Sequence, residues 1–108
     1  MGRAAFGVLS SRQPTVTGAL KPVGYEQITA ITTTAKALTY ASYPTANLAL
    51  IQAENADLRW RDDGTNPTAT VGMYLPALTT CWYNGDLTKL KVIAASGTGI
   101  LNVTYYSY

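Results

Sequence analysis

The sequence lacks the side chains on which most catalytic mechanisms depend. It contains no histidine and only six acidic residues in 108. Histidine is the commonest general base, the usual partner of a nucleophilic serine or cysteine, and the commonest metal ligand. The adjacent residues Asp62 and Asp63 lie in a predicted turn, where their carboxylates diverge and cannot converge across a glycosidic bond. We therefore expect a protein that is not an enzyme and that needs neither cofactor nor metal.

Charge is also scarce, since 13% of the residues are charged and the net charge is +2. Soluble domains typically carry about 25% charged residues. The basic residues are dispersed, whereas binding to nucleic acid requires them on one face. No apolar run approaches the roughly 18 residues of a membrane-spanning helix. The composition thus argues against nucleic-acid and membrane partners. Either other subunits cover part of the surface, or Thr, Ser, Asn and Tyr provide its solvation.

The single cysteine, Cys81, cannot form an internal disulfide, which is typical of a protein folded in a reducing cytoplasm. It lies in an apolar run beside Trp82, where a thiol most often fills space in the core. The N-terminal residues contain no continuous apolar segment as long as a secretion signal requires, so we expect no such signal.

Apolar residues alternate along most of the chain, and this alternation predicts β-strands. It is clearest around the densest turn signal, Asp62 to Pro67. Ala49, Ile51 and Ala53 share one side before it, and Leu58 and Trp60 alternate with charged residues. The segment 46–56 also contains good helix formers, so a helix is the alternative there, but the period of two favours a strand.

Further strands are predicted at 25–34, 36–40, 70–75, 78–83, 88–95 and 100–106. In the last of these Leu101, Val103 and Tyr105 lie on one face. The pair Asn84-Gly85 favours a tight turn that joins two antiparallel strands. Roughly seven or eight short strands without a strong helix predict an all-β, single-domain antiparallel β-sandwich that resembles a jelly roll. We place this domain at residues 25–108.

The first 24 residues are rich in glycine and proline and show no sustained period, which predicts an extended N-terminal arm. The arm is either a free terminus or a segment that orders against a neighbouring subunit. In the second case its apolar anchors are Phe6, Val8, Leu9 and Val16.

Two further groups are candidate contact residues. Arg59 and Arg61 share one face of a predicted strand, where each guanidinium can bind a carboxylate of another subunit or form a surface pair with a nearby aspartate. The C-terminal tyrosines Tyr105, Tyr106 and Tyr108 offer aromatic area for an interface. Alternatively, tyrosines and tryptophans such as Trp60, Trp82 and Tyr83 can stack against sugar rings, although such residues more often belong to a core or an interface.

The run RWRDDGTNPTATVGM, from Arg59 to Met73, resembles a segment of small proteins encoded by tailed bacteriophages and prophages. The resemblance covers about residues 46–106 and includes Tyr83 to Leu87, Lys91 to Ile93 and Ile100 to Tyr106. It implies a β-rich component of the virion, encoded among head and tail genes, and it carries no catalytic residues.

Together these features favour a structural protein of a tailed phage particle, assembled in the host cytoplasm. We expect a capsid decoration or cement protein that forms a homo-oligomer, such as a trimer, and binds the major capsid protein or other virion proteins. It would stabilise the shell by burying apolar and aromatic area. The alternatives are a ring component of the head-tail junction or tail, and a carbohydrate-binding module of the adsorption apparatus.

Overall fold

Eight β-strands and one short 3-10 helix make up the computed structural model, which describes residues 19–108. The strands are β1 (Lys21–Ile31), β2 (Lys36–Ala37), β3 (Leu48–Glu54), β4 (Leu58–Arg61), β5 (Met73–Leu75), β6 (Thr80–Tyr83), β7 (Lys91–Ala94) and β8 (Gly99–Ser107), and the 3-10 helix is Tyr40–Ser42. The prediction of an all-β protein is confirmed. No helix in this part of the chain is long and apolar enough to cross a membrane.

The strands form two antiparallel sheets of four. The order is β1-β8-β3-β6 in one, called the β1 sheet, and β2-β7-β4-β5 in the other, called the β2 sheet. Consecutive strands alternate between the sheets, except that β4 and β5 are neighbours in the β2 sheet. The first strand pairs with the last, the second with the second-last, and so on inward to β4 and β5.

One hydrophobic core contains residues of both sheets. In the β1 sheet, Ile51 and Ala53 of β3 are buried, as are Leu101, Val103 and Tyr105 of β8. In the β2 sheet, the buried residues include Leu58, Leu75, Val92 and Ala94. Because side chains alternate across a strand, burial of every second residue leaves the opposite face of the β1 sheet outside this core. The strand predicted within 46–56 is confirmed, and so is the common face of its apolar residues.

The predicted boundaries differ from the structure in two places near the start of the described residues. Strand β1 begins at Lys21, so residues 21–24 pair with β8 and do not belong to an arm. The strand predicted at 36–40 is confined to Lys36–Ala37, and a 3-10 turn begins at Tyr40. The anchors Phe6, Val8, Leu9 and Val16 lie outside the described residues.

The tight turn predicted at Asn84-Gly85 is wrong, because the strands before and after it lie in different sheets. Strand β6 pairs with β3, and β7 pairs with β2 and β4. The glycine is required for a different reason. A Cβ atom at Gly85 would lie 2.5 Å from Tyr83 Oη and 2.7 Å from Cζ of the same ring. The backbone thus passes directly over a buried phenol, an approach that the missing side chain permits.

Candidate functional site

Arg59, on β4, holds the loop between β4 and β5 in its conformation. Its Nε donates to the carbonyl of Ala69 at 3.1 Å, and Nη1 donates to the carbonyl of Gly72 at 3.0 Å. The guanidinium also lies 4.9 Å from the centroid of the Tyr74 ring, within the range of a cation–π contact. The predicted contact residue Arg59 is therefore engaged within its own chain, where it holds the loop between β4 and β5.

Arg61 forms the ion pair found among residues 19–108. It donates from Nε to Asp63 Oδ1 at 3.0 Å and from Nη2 to Oδ2 at 2.5 Å. Hydrogen bonding from the guanidinium lowers the pKa of the Asp63 carboxyl. The neighbouring Asp62 is used elsewhere, since its carboxylate accepts a hydrogen bond of 2.7 Å from the Tyr83 hydroxyl. Asp62 and Asp63 are thus both occupied by contacts within the chain.

Asp57 links the entry of β4 to the segment that follows β5. Its carboxylate accepts hydrogen bonds from the Tyr74 hydroxyl and, at 2.8 Å, from the backbone N–H of Ala77. These two bonds, with that from Tyr74 the larger cause, lower the pKa of Asp57 below its ordinary value. The ionised carboxylate therefore holds Tyr74 and Ala77 in place.

We expect the effect of Asp57→Asn on stability to depend on pH. A carboxyl group whose pKa is lowered by folding stabilises the native state above its ordinary pKa, and this contribution is lost as the pH falls through the lowered value. The variant should therefore unfold at a lower urea concentration than the wild type at pH 7, and the two midpoints should converge as the pH falls to about 2. A difference that stays constant over this range would contradict the role given to the carboxylate.

The segment from Val71 to Leu78, called the edge segment, exposes an unusual amount of apolar surface. It contains β5, which is one of the two outer strands of the β2 sheet. The exposed fraction is 51% for Val71, 60% for Met73 and 76% for Leu78. A strand at the edge of a sheet also presents unpaired backbone groups to which another chain can add. Apolar side chains beside such an edge are typical of a protein contact site.

Leu78 combines this exposure with a backbone conformation that leucine disfavours. Its φ is 67°, in the left-handed region. It is the third residue of a turn closed by a 3.2 Å hydrogen bond from the Thr79 N–H to the Pro76 carbonyl, a position where positive φ favours glycine or asparagine. The Leu78 N–H donates to the Ala53 carbonyl at 2.8 Å, which fixes the conformation. Neither burial nor backbone preference in the single chain accounts for a leucine here.

The three C-terminal tyrosines, predicted as contact residues, have different positions. Tyr105 is fully buried, stacks on Tyr43 with centroids 4.4 Å apart, and donates its hydroxyl to Glu26. Burial and the bond to Glu26 raise the pKa of Tyr105. Tyr105 is therefore a core residue, and its prediction as a contact residue is wrong because it has no surface to offer. Tyr106 is half-buried and Tyr108 is 60% exposed, so both can reach a partner.

The aromatic residues considered for sugar stacking also differ in position, because two of them contact the core and one lies on an outer face. Tyr83 is buried, and Trp60 packs edge-on against it with centroids 5.5 Å apart and contacts the core. Trp82 is half-buried and lies 5.5 Å from the ring of Tyr106. It is paired with Leu50, whose side chain is also directed away from the core. Of these three residues, Trp82 is thus the one placed on the outer face of the β1 sheet. The nearby Cys81 packs against the core, and burial raises the pKa of its thiol.

An open cleft of about 470 Å³ lies on this outer face. It extends across all four strands of the sheet, because its lining residues belong to β1, β8, β3 and β6. They are Tyr25, Gln27, Leu50, Gln52, Glu54, Thr80, Asn102 and Thr104. The lining residues are mostly polar, and Glu54 supplies the one carboxylate among them. Its volume is within the range of small-molecule sites, roughly 300–1,000 Å³.

Asn102, on the central strand β8, connects the two sides of the cleft. Its Oδ1 accepts hydrogen bonds from the Tyr25 hydroxyl at 2.8 Å and from Gln27 Nε2 at 3.0 Å. Its Nδ2 donates to Gln52 Oε1 at 3.2 Å and to Glu54 Oε1 at 3.0 Å. A carboxamide has two acceptor and two donor positions, and all four are used here. Asn102 therefore orients its neighbours and has nothing left for a ligand.

Comparison of the chain with protein-family models, curated proteins and solved structures gives no match. Among residues 19–108, no group of three or more acidic or cysteine side chains is arranged to hold a metal ion.

The cleft residues were not singled out from the sequence. The alternation in β3 and β8 places Gln52 and Asn102 opposite the apolar residues, so a polar outer face is predictable. Their contact is not, because 50 residues separate them along the chain and only the pairing of β3 with β8 joins them.

Proposed function

We propose that this protein is a non-enzymatic structural component of a tailed-phage particle, namely a capsid decoration or cement protein that acts as a homo-oligomer. Each copy would contact its neighbours through the edge segment, and the oligomer would bind assembled shell proteins. Burial of apolar side chains at these contacts stabilises an assembly without any chemical step. The run from Arg59 to Met73, which resembles a segment of phage proteins, overlaps the start of this segment, and Arg59 holds the loop between β4 and β5.

For the fold we propose a β-sandwich with jelly-roll connectivity. Two observations support it: the sheets share one hydrophobic core, and the strands pair first with last and inward to a central hairpin. This pairing is that of a long antiparallel hairpin that is rolled up. Rolling divides the paired strands between two facing sheets. Eight-stranded jelly rolls are common among viral capsid proteins.

The observation that carries the functional proposal is Leu78. A leucine in the left-handed region costs about 1 kcal/mol or more, and an exposed side chain recovers none of it from the core. Evolution toward a stable single chain would place glycine or asparagine at this turn position. A leucine retained there is explained if its side chain is buried by another subunit.

We expect Leu78→Asn to change stability and assembly in opposite directions. The isolated chain should gain about 1 kcal/mol in free energy of unfolding because asparagine tolerates the left-handed region. The oligomer should dissociate at a higher protein concentration than the wild type because the apolar contact is lost. Urea denaturation measures the first effect, and light scattering over a concentration series measures the second.

The matched control is Ala30→Asn. Ala30 is exposed, has a φ of 56° and lies at a bulge in β1. The same substitution should therefore stabilise the chain and leave the solution mass unchanged. A wild-type protein that remains monomeric at all concentrations would refute the proposed oligomer, and an unchanged mass in Leu78→Asn would refute the role of the edge segment. The protein should also co-purify with phage particles on a density gradient.

A further inference from the structure

We propose that the cleft on the outer face of the β1 sheet binds a neutral carbohydrate. This site is separate from the edge segment and does not depend on the proposed assembly. It differs from the sugar-stacking residues considered from the sequence, since Trp60 and Tyr83 are turned toward the core and the cleft is built around Asn102.

The first argument is the supply of free hydrogen-bonding groups. Asn102 uses one acceptor position of Gln52 and one carboxylate oxygen of Glu54. Among the described residues, the Gln52 amide N–H groups and Glu54 Oε2 have no protein partner. Gln27 lies in the same row across the sheet, and within residues 19–108 its carbonyl oxygen and one of its amide N–H groups also have no partner. Donors and acceptors placed side by side in this way match the hydroxyl groups of a sugar ring, each of which both donates and accepts.

The second argument is orientation. Free glutamine and glutamate side chains on a surface lose rotamer entropy when they bind a ligand, and this loss weakens binding. Here the hydrogen bonds to Asn102 already restrain Gln27, Gln52 and Glu54 before any ligand arrives. The cleft is therefore organised in advance, which is the property that distinguishes a binding site from an ordinary polar surface.

The third argument is the aromatic wall. Tyr25 is 55% exposed and lines the cleft from the edge strand β1, with its hydroxyl held by Asn102. The exposed ring offers an apolar face to the C–H groups of a pyranose. On the opposite edge strand, Trp82 lies in the same row of the sheet as Leu50, which lines the cleft. A longer saccharide that extends across the strands would reach it.

Charge selects the class of ligand. Glu54 is the charged residue in the lining, and no lysine or arginine lines the cleft. A sulfated or carboxylated sugar would bring its anion beside the carboxylate of Glu54, and the repulsion between like charges is unfavourable. A neutral sugar instead donates hydroxyl protons to it, and such charge-assisted hydrogen bonds are strong. The site thus fits neutral hexose or N-acetylhexosamine units.

The test is a glycan array probed with the full-length protein, on which neutral oligosaccharides stand beside their sulfated counterparts. We expect binding to neutral members and none to the sulfated ones. The best neutral oligosaccharide on the array is then titrated into labelled protein by NMR, where the side-chain amide signals of Gln27, Gln52 and Asn102 should shift.

The key variant is Tyr25→Ala, which should weaken binding about tenfold by removing the stacking face. Tyr25→Phe keeps the ring and should weaken it less. Tyr108→Ala removes a tyrosine of similar exposure outside the cleft, and its affinity should equal that of the wild type. Thermal unfolding of each variant establishes that the fold is intact.

Three results would overturn the inference: no binding to any neutral glycan, preference for sulfated glycans, or unchanged affinity in Tyr25→Ala. A fourth is a fall in solution mass in Tyr25→Ala, because the outer face would then be an interface between copies. The assembly proposal is tested separately by Leu78→Asn, which should bind the sugar with unchanged affinity per chain.

Discussion

Replacing Tyr105 with alanine is expected to destabilise the protein by about 3–5 kcal/mol, the cost of removing a large aromatic side chain from a core. Tyr105 is completely buried in β8, and its ring stacks on Tyr43. Its hydroxyl donates to Glu26, which also accepts hydrogen bonds from the backbone N–H and the hydroxyl of Thr39. The substitution would leave both a cavity and a carboxylate with fewer partners.

A loss of this size is a large part of the 5–15 kcal/mol that typically stabilises a domain, so the variant should be partly or wholly unfolded at 37 °C. Circular dichroism and urea denaturation measure the effect. The matched control is Tyr108→Ala, whose side chain is 60% exposed and which should stay within about 0.5 kcal/mol of the wild type. Equal, small effects in the two variants would mean that Tyr105 does not belong to the core.

Tyr105→Phe separates the two contributions. It keeps the stacked ring and removes the hydroxyl, so the cost is that of one unsatisfied partner, about 1–3 kcal/mol. If Tyr105→Phe is as unstable as Tyr105→Ala, the hydrogen bond to Glu26 dominates over packing. We expect the opposite, since the ring supplies most of the buried area.

The second large effect is expected for Gly85→Asn. The new Cβ would lie 2.5 Å from Tyr83 Oη, and the ring cannot move freely. Its hydroxyl donates to Asp62 at 2.7 Å, and the ring makes a T-shaped contact with Trp60. Overpacking of this kind costs about 1–3 kcal/mol, and displacement of the phenol would add the loss of its hydrogen bond.

Gly97→Asn is the control, because it makes the same substitution at a glycine that has open space around it. Gly97 has a φ of 68°, which asparagine tolerates, and an added Cβ would meet nothing within 4 Å. We expect a change within about 0.5–1 kcal/mol for this variant. If Gly85→Asn is tolerated equally well in urea denaturation, space over the Tyr83 ring is not what requires glycine at position 85.

Tyr105 shows which features of the C-terminal half of the chain can be predicted from the sequence and which cannot. The alternation of Leu101, Val103 and Tyr105 correctly places the three residues on one face of a strand. The alternation does not decide whether Tyr105 is buried in the core or lies at an interface, where tyrosine is also common. That outcome depends on Glu26, a residue 79 positions away that supplies the hydrogen-bond acceptor.

The hairpin predicted at Asn84-Gly85 is absent for a related reason. Asn-Gly is a local signal for a hairpin, and a hairpin requires that the two flanking strands pair with each other. Strand β6 instead has β3 as its partner, and no local signal reports this choice. The two arginines differ in this respect. Arg61 pairs with a nearby aspartate, Asp63, as the surface-pair alternative predicts. No local signal indicates that Arg59 donates to the carbonyls of Ala69 and Gly72.

Strand content, the period of two and the shared face of the apolar residues in each strand follow directly from the order of residues, because a strand directs successive side chains to opposite faces whatever its partners are. Strand pairing, the burial of Tyr105, the exposure of Leu78 and the cleft around Asn102 depend instead on contacts between segments distant along the chain. Such contacts form when two sheets close around one core, and their free energy depends on all the strands at once.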